Sequence, residues 1–337
     1  MTAPTEAVES EPRTLAPLGR RAAEVLAVEE LGAYRLVWAS DRHGPCDPRP
    51  GQFYMLATAE RWGSEGGRPY LPRAFSYARV ASASTERTAH ERERAWRETG
   101  GQAHAAIDGG PEDAPRLGFL LDTVGPGTER LAELALGEDL WLSGPFGVGF
   151  RLAGSGGGGV PPDSQEPPDA SERTRDGRDE REISARRLLV GGGIGAAPIL
   201  ALADELGPRG RVLLGFRSAE HAVAAELFDG RPLVATDDGS LGRHALVTDL
   251  LHDKLECDPE ATVYACGPPP MLEAVRAMCA ARGTPAQLAL ESGMACGYGA
   301  CFGCVVPTRD GFVRLCLDGP VLAAAQLETA LFAGAGH

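Results

Sequence analysis

The chain has 337 residues, enough for two ordinary domains and a small module. Its 33 Lys and Arg against 47 Asp and Glu leave a formal charge of −14, which argues against nonspecific nucleic-acid binding and toward a protein or small-molecule partner. No apolar run approaches the roughly 20 residues that a membrane-spanning helix needs, and the opening MTAPTEAVESEPRTLAPLGRR carries acids where an export signal carries bases. A cytoplasmic protein is expected, with Cys46, Cys257, Cys266 and Cys279 as scattered free thiols in a reducing compartment.

Residues 1–16 read as a disordered lead-in. From 17 to 152, short apolar runs (AAEVLAVEEL, YRLVWAS, GQFYMLA, AFSYARV, LGFLLDTV, DLWLSGPFG) alternate with Gly, Pro and Asp turns, the pattern of an antiparallel β-barrel. The stretch 81–115 interrupts it with Gly, Pro, Ser and charge and reads as an insertion, with at most a short helix around Trp96 and His104. Within the barrel, Arg73-Ala74-Phe75-Ser76 offers a guanidinium for a pyrophosphate, an aromatic for a ring and a hydroxyl for its polar edge, which suits a flavin. Alone, such an Arg is as readily a solvated or salt-bridged face. Gly125-Pro126-Gly127-Thr128, where backbone N–H groups and a hydroxyl open a helix, and the Gly144-Pro145-Phe146-Gly147 turn tilt the reading toward a flavin, although each also makes sense as turn chemistry.

Residues 153–186 have linker composition and are expected to be disordered. Strand and helix patterns then alternate over 187–287, which predicts a doubly wound parallel sheet. Leu188-Leu189-Val190 runs straight into Gly191-Gly192-Gly193-Ile194-Gly195-Ala196, a match to G-x-G-x-x-G/A at the first strand-to-helix turn, where a dinucleotide pyrophosphate binds. Asp237, Asp238 and Gly239 follow the third strand, and Cys266, Gly267 and Pro268 follow the fourth, so both groups belong to the carboxyl edge of the sheet. Cys266 is the candidate for touching a nicotinamide ring, against the plainer reading of a buried small residue. Arg217 and Glu220, beyond the second strand, leave NAD and NADP equally open.

The last block, 288–337, holds Cys296, Cys301, Cys304 and Cys316, with four, two and eleven residues between them. This is plant-type 2Fe-2S spacing, with Gly297, Gly299 and Gly303 letting the backbone wrap a cluster and a strand around Val313 delivering the fourth ligand. Structural zinc prefers two CxxC pairs, and only Cys301 and Cys304 form one. Disulfides need an oxidising compartment.

The segments PRAFS, GPGT, GPFG, GGGIGAAP, ATDDGSLG with VTDLL, ACGPPPML, and ESGMACGYGACFGCVV ending in RLCLDGPVL resemble the ferredoxin-reductase superfamily. Within it, the chain resembles the electron-transfer subunits of NAD-dependent (class 1B) dihydroorotate dehydrogenases. The resemblance implies FAD at Arg73 to Ser76, at Leu120, Leu121 and Asp122, and at Gly127 and Thr128, with the 2Fe-2S cluster on the four cysteines. Leu121 and Asp122 stand where that family commonly has an aromatic and an Arg, and Ala74 where it usually has Pro. It further implies an FMN-bearing catalytic subunit as partner, in a heterotetramer of two of each. There dihydroorotate would be oxidised in pyrimidine (UMP) biosynthesis, its electrons passing singly through the cluster to FAD and as a hydride to NAD+. Alternatives are an NAD(P)H:ferredoxin-type or sulfide dehydrogenase flavoprotein subunit, or a zinc-bearing scaffold.

Overall fold

The computed structural model describes residues 19–45, 47–59, 62, 71–81, 114–152 and 186–332. The expected lead-in, Cys46, residues 82–113 of the expected insertion with the short helix considered there, and residues 153–185 of the expected linker lie outside the described residues.

The first half forms seven strands: β1 (Arg21–Leu31), β2 (Tyr34–Ser40), β3 (Phe53–Thr58), β4 (Arg73–Ser76), β5 (Arg79–Ala81), β6 (Arg116–Asp122) and β7 (Asp139–Phe146), with one helix, α1 (Pro126–Ala132), between the last two. They pair antiparallel in the order β4-β3-β7-β1-β2-β6-β5. The run AFSYARV, expected as one strand, breaks at Tyr77-Ala78, and its halves lie on opposite edges of the sheet. Only two residues separate those halves, and consecutive Cα atoms are about 3.8 Å apart, so the two edges of the sheet lie close together. Tyr54, Leu56, Phe119, Leu121, Leu140 and Leu142 fill the interior. Strand β3 is buried on both faces, because the alternate residues Phe53 and Met55 point away from that interior into a core shared with the C-terminal block.

The second sheet comprises β8 (Arg187–Gly192), β9 (Arg211–Phe216), β10 (Leu233–Thr236), β11 (Arg243–His244), β12 (Thr262–Cys266) and β13 (Ala286–Ala289), all parallel. Its helices are α2 (Ala196–Leu206), the one-turn α3 (Ala219–Ala222), α4 (Val247–Cys257) and α5 (Pro269–Arg282). Apolar runs such as LLVGG, after Arg187, are buried throughout because helices cover both faces. AAELFDG forms a 3₁₀ turn, Val223–Leu227, where its pattern suggested an α-helix. The order β11-β10-β9-β8-β12-β13 reverses direction between β8 and β12, and that crevice is where open α/β sheets take ligands.

The C-terminal block contributes the hairpin β14 (Val305–Thr308) and β15 (Gly311–Arg314), the one-turn helix α6 (Leu315–Asp318), and β16 (Val321–Ala323), which joins the second sheet antiparallel to β13. Cys316 sits in α6, just past the strand from which the fourth cysteine was expected. The block has no separate core: Cys304, Val306, Leu315 and Cys316 pack in one cluster with Phe53, Met55, Val263 and Leu288. Its tail is tied to α5, where the Glu273 carboxylate accepts hydrogen bonds from the Thr329 hydroxyl at 3.0 Å and the Ala330 N–H at 2.6 Å.

Among the polar contacts between the two sheets, one lies at each side of the seam. Arg79 donates to both Asp204 oxygens at 2.6 and 3.0 Å and to the Leu227 carbonyl at 2.8 Å. On the other side, the β1–β2 turn docks on α3 through Ala33 N–H to the Glu220 carbonyl at 3.1 Å. Within the first sheet, Arg21 grips Asp41 at 2.9 and 2.6 Å and donates to the Gly144 carbonyl at 2.8 Å.

Candidate functional site

Four groups of side chains line the seams between these units. The first lies on β4. Arg73 and Gly127 are 54 positions apart, yet a Cβ at Gly127 would overlap the Arg73 guanidinium, so the Arg73 side chain rests against the glycine at the start of α1. Arg73 also donates to the Leu71 carbonyl at 2.8 Å. An arginine laid on bare backbone presents several N–H donors on one side, a setting suited to a phosphate. The Thr128 hydroxyl, expected to help there, is occupied: it accepts from the N–H groups of Val124 (2.9 Å) and Gly125 (3.1 Å) and donates to the Gly125 carbonyl (2.9 Å). Phe75 packs against the interior of the first sheet beside Tyr54, while Ala74 and Ser76 share the opposite face of the ladder with Met55 and Phe53. Leu120 and Leu121 are buried, and Asp122 pairs in register with Tyr34.

The second group is the glycine turn after β8. Gly191 is crowded by the Ala196 backbone, and a Cβ at Gly195 would collide with the Cys266 carbonyl and lie 2.6 Å from the Gly267 nitrogen. The GGGIG and ACGP segments therefore touch across the crevice, where the sequence placed both at the carboxyl edge. Gly193 has φ of 54°, the left-handed region that favours glycine. Pro268 N-caps α5. Burial, then the nearby Glu291 charge, pushes the Cys266 thiol well above its ordinary value, so it keeps its proton. Burial also raises the Glu291 carboxyl. Glu291, two residues past β13, is a candidate that sequence reading missed, and the acid directly before the SGMACG run was the available signal.

The third group, Asp237, Asp238 and Gly239, is exposed beyond β10. Asp238 accepts from the Ser240 N–H (2.9 Å) and hydroxyl (2.5 Å), and Ser240 accepts from Ala219 N–H (2.6 Å), which ties this loop to α3.

The fourth is the cysteine loop. Cys304 and Cys316 are buried with their sulfurs 3.2 Å apart, and Cys296 and Cys301 hydrogen-bond through their side chains at the surface. Burial opposes ionisation of Cys296, but N–H groups of Cys301 and Tyr298 outweigh it and bring the thiol to about 7. Burial and Cys304 push Cys316 up to about 12. Among the described residues, no group of three His, Cys, Asp or Glu side chains is placed to hold a single metal ion. Two pairs of thiols match a different demand, that of a two-iron rhomb whose irons take two thiolates each. The loop backbone is pressed onto the first sheet, since a Cβ at Gly297 would lie 2.6 Å from Met55 Cγ and 3.2 Å from Phe146. Gly147 of the GPFG turn meets Gly319 of the DGPV run, with the Val148 N–H bonded to the Gly319 carbonyl and Leu290 N–H to the Pro320 carbonyl at 2.9 Å.

Residues 291–328 match the iron-sulfur cluster binding domain of dihydroorotate dehydrogenase B. The electron transfer subunit of dihydroorotate dehydrogenase B (NAD(+)) from Caldanaerobacter subterraneus subsp. tengcongensis is 33% identical over 220 residues, covering 63% of this chain and 75% of that protein. The chain belongs to this family of electron transfer subunits. A second member, from a Geobacillus species, is 36% identical over 225 residues, covering 64% of this chain and 76% of its own length. The fold agrees with a solved structure of an NADH-dependent reduced ferredoxin-NADP oxidoreductase, at a TM-score of 0.63 and 21% identity over 93% of this chain and 91% of that one.

Proposed function

We propose that this chain is the electron-transfer subunit of an NAD-dependent dihydroorotate dehydrogenase, built from a flavin barrel (17–152), a nicotinamide domain (187–287) and a 2Fe-2S module (288–337). The observation that carries it is Gly297 seated on Met55 and Phe146, which sets the cysteine loop one side-chain layer from the strand that pairs with Arg73 to Ser76. The two-residue link between β4 and β5, which lie on opposite edges of the sheet, supports the barrel. FAD supplies the exchange between paired electrons, taken up by NAD+, and the single electrons handled by a 2Fe-2S cluster. Arg73 over Gly127 would bind the flavin pyrophosphate, with Leu120, Leu121 and Asp122 lining the neighbouring strand end. Gly191, Gly193 and Gly195, facing Cys266, Gly267 and Pro268, would seat the dinucleotide, and Asp237, Asp238 and Gly239 would border its far end. The Cys266 thiol would hold the ring face by contact, with Glu291, its carboxyl raised by burial, beside it. Cys296, Cys301, Cys304 and Cys316 would ligate the cluster.

The partner reading rests on exposure. Cys301 is exposed, as are Tyr298 (56%) and Phe302 (63%) in the same loop and Phe312 (78%) on the β14–β15 hairpin, apolar surface that suits a docked catalytic subunit carrying FMN, in a cytoplasmic heterotetramer of two of each. No helix among the described residues is long and apolar enough to cross a membrane. Mixing the FAD-loaded, cluster-loaded chain with an FMN-type dihydroorotate dehydrogenase is expected to yield dihydroorotate-dependent NAD+ reduction, followed at the NADH absorbance band. Unchanged absorbance would count against the assignment. For the flavin seat, Arg73→Ala removes charge-assisted hydrogen bonds and is expected to weaken FAD binding roughly 10- to 100-fold, read as flavin lost on gel filtration. Full flavin occupancy in that variant would mean that the phosphate anchor lies elsewhere.

A further inference from the structure

One side chain of the first sheet reaches the dinucleotide turn of the second, and no motif pointed to it. Tyr34 opens β2 and is only 2% exposed. Its ring stands edge-on to His221 of α3, centroids 5.6 Å apart. Its hydroxyl is the one heavy atom that a Cβ at Gly193 would meet within 4 Å, at 4.0 Å. Elsewhere along the turn a Cβ would strike backbone or packed side chains, as at Gly191, Gly192 and Gly195, so Gly193 is the least crowded glycine of the turn, and the Tyr34 hydroxyl stands opposite it. Among the described residues the hydroxyl makes no hydrogen bond. Burial, then the Asp122 carboxylate, raises its pKa, with Arg217 opposing, so it remains an O–H donor at any physiological pH.

The gap above Gly193 has a distinct chemistry. On one side lies the 3₁₀ turn Gly193–Gly195 that leads into the eleven-residue helix α2, an N-terminal end that favours an anion. On the other lies a neutral donor in a largely dry wall, with the Arg217 guanidinium near enough to influence it. The placement is rigid because the hairpin that carries Tyr34 is docked on Glu220, where Gly32 leaves no room for a Cβ, and because Arg79 clamps the opposite seam. We propose that the Tyr34 hydroxyl donates a hydrogen bond to the pyrophosphate of the nicotinamide dinucleotide seated over Gly193, so that the dinucleotide is read by both sheets at once. This rests on the reading of the glycine turn as the dinucleotide seat. Its consequence is that NAD+ is bound fully only when the two sheets are docked in their present register.

The test uses the FAD-loaded protein in its oxidised state and measures NAD+, ADP and adenosine binding by titration calorimetry. Tyr34→Phe keeps the ring and its edge contact with His221 and removes only the donor. NAD+ and ADP, which carry a pyrophosphate, should each bind roughly three- to tenfold more weakly, adenosine should be unchanged, and KM for NAD+ should rise while kcat holds. A merely structural role would lower adenosine affinity, FAD content or thermal stability along with the others, and that result overturns the proposal. Gly193→Asp, which an αL position tolerates and which sets a carboxylate in the gap, separates the two readings. If it weakens NAD+ binding and Tyr34→Phe does not, the turn is the seat and Tyr34 is not part of it. If neither variant changes NAD+ binding, both readings fall.

Discussion

Cys301→Ser is expected to abolish the visible absorbance of the cluster while leaving FAD bound. The serine hydroxyl is a poor substitute for a thiolate on iron, and Cys301 is the exposed member of the pair with Cys296, so the outer iron would lose half its protein ligands. The flavin seat shares no side chain with that pair: Arg73 lies on Gly127, whereas the cysteine loop rests on Met55 and Phe146. The variant should therefore still take electrons from NADH into its flavin and fail to pass them to a one-electron acceptor. Cys257→Ser, at an exposed thiol on α4, is the control and should keep the full spectrum. A Cys301→Ser protein with an undiminished cluster band would mean that the ligand set is misread. Loss of flavin together with the cluster would mean that the two seats are not independent.

The largest expected effect on stability comes from Asp41. It is fully buried, and both its oxygens are held by Arg21, which is 8% exposed. Asp41→Asn leaves the guanidinium buried without its counter-charge, and breaking such a pair costs about 3–5 kcal/mol, or roughly 10 °C in the melting temperature of the first sheet. Arg21 also holds the Gly144 carbonyl, so the loosened end of β7 is the GPFG turn that receives the DGPV run and the cysteine loop. Both flavin release and cluster bleaching should move to lower temperature together. The double variant Arg21→Leu with Asp41→Leu should recover much of the loss, since removing both charges removes the uncompensated one. If Asp41→Asn melts within a degree or two of the parent, the pair contributes little.

Local signals made part of this molecule legible in sequence. The 4-2-11 cysteine spacing, the strand running into GGGIGA, and the strand–helix alternation after residue 187 each lie within a few tens of residues, and the structure has the glycine turn and the parallel sheet where they were expected. Properties created by long-range approach were not legible. Nothing in PRAFS says that Arg73 will lie on Gly127, and nothing in YRLVWAS marks Tyr34 as the wall opposite Gly193. The single run AFSYARV hides a break that sends its halves to opposite sheet edges, because no Gly, Pro, Asn or Asp marks a turn at Tyr77 and Ala78. Thr128 has the residue type of a ligand-binding hydroxyl, but its oxygen is engaged by the turn it closes. The cysteine block read as a separate module because its motif is compact in sequence, whereas its apolar residues find their partners on β3, β12 and β13.

The short strand β16 carries one more consequence. A parallel sheet ending at β13 would present a row of unpaired N–H and C=O groups to any passing strand, a template for aggregation. Val321–Ala323 pairs along Gln287 to Ala289 and then stops after three residues, turning into a 3₁₀ turn. The chain segment that follows the last cysteine thus seals the flank of the sheet and offers too short an edge to be copied. Truncation just after Cys316 would keep all four thiols and still produce a sticky protein.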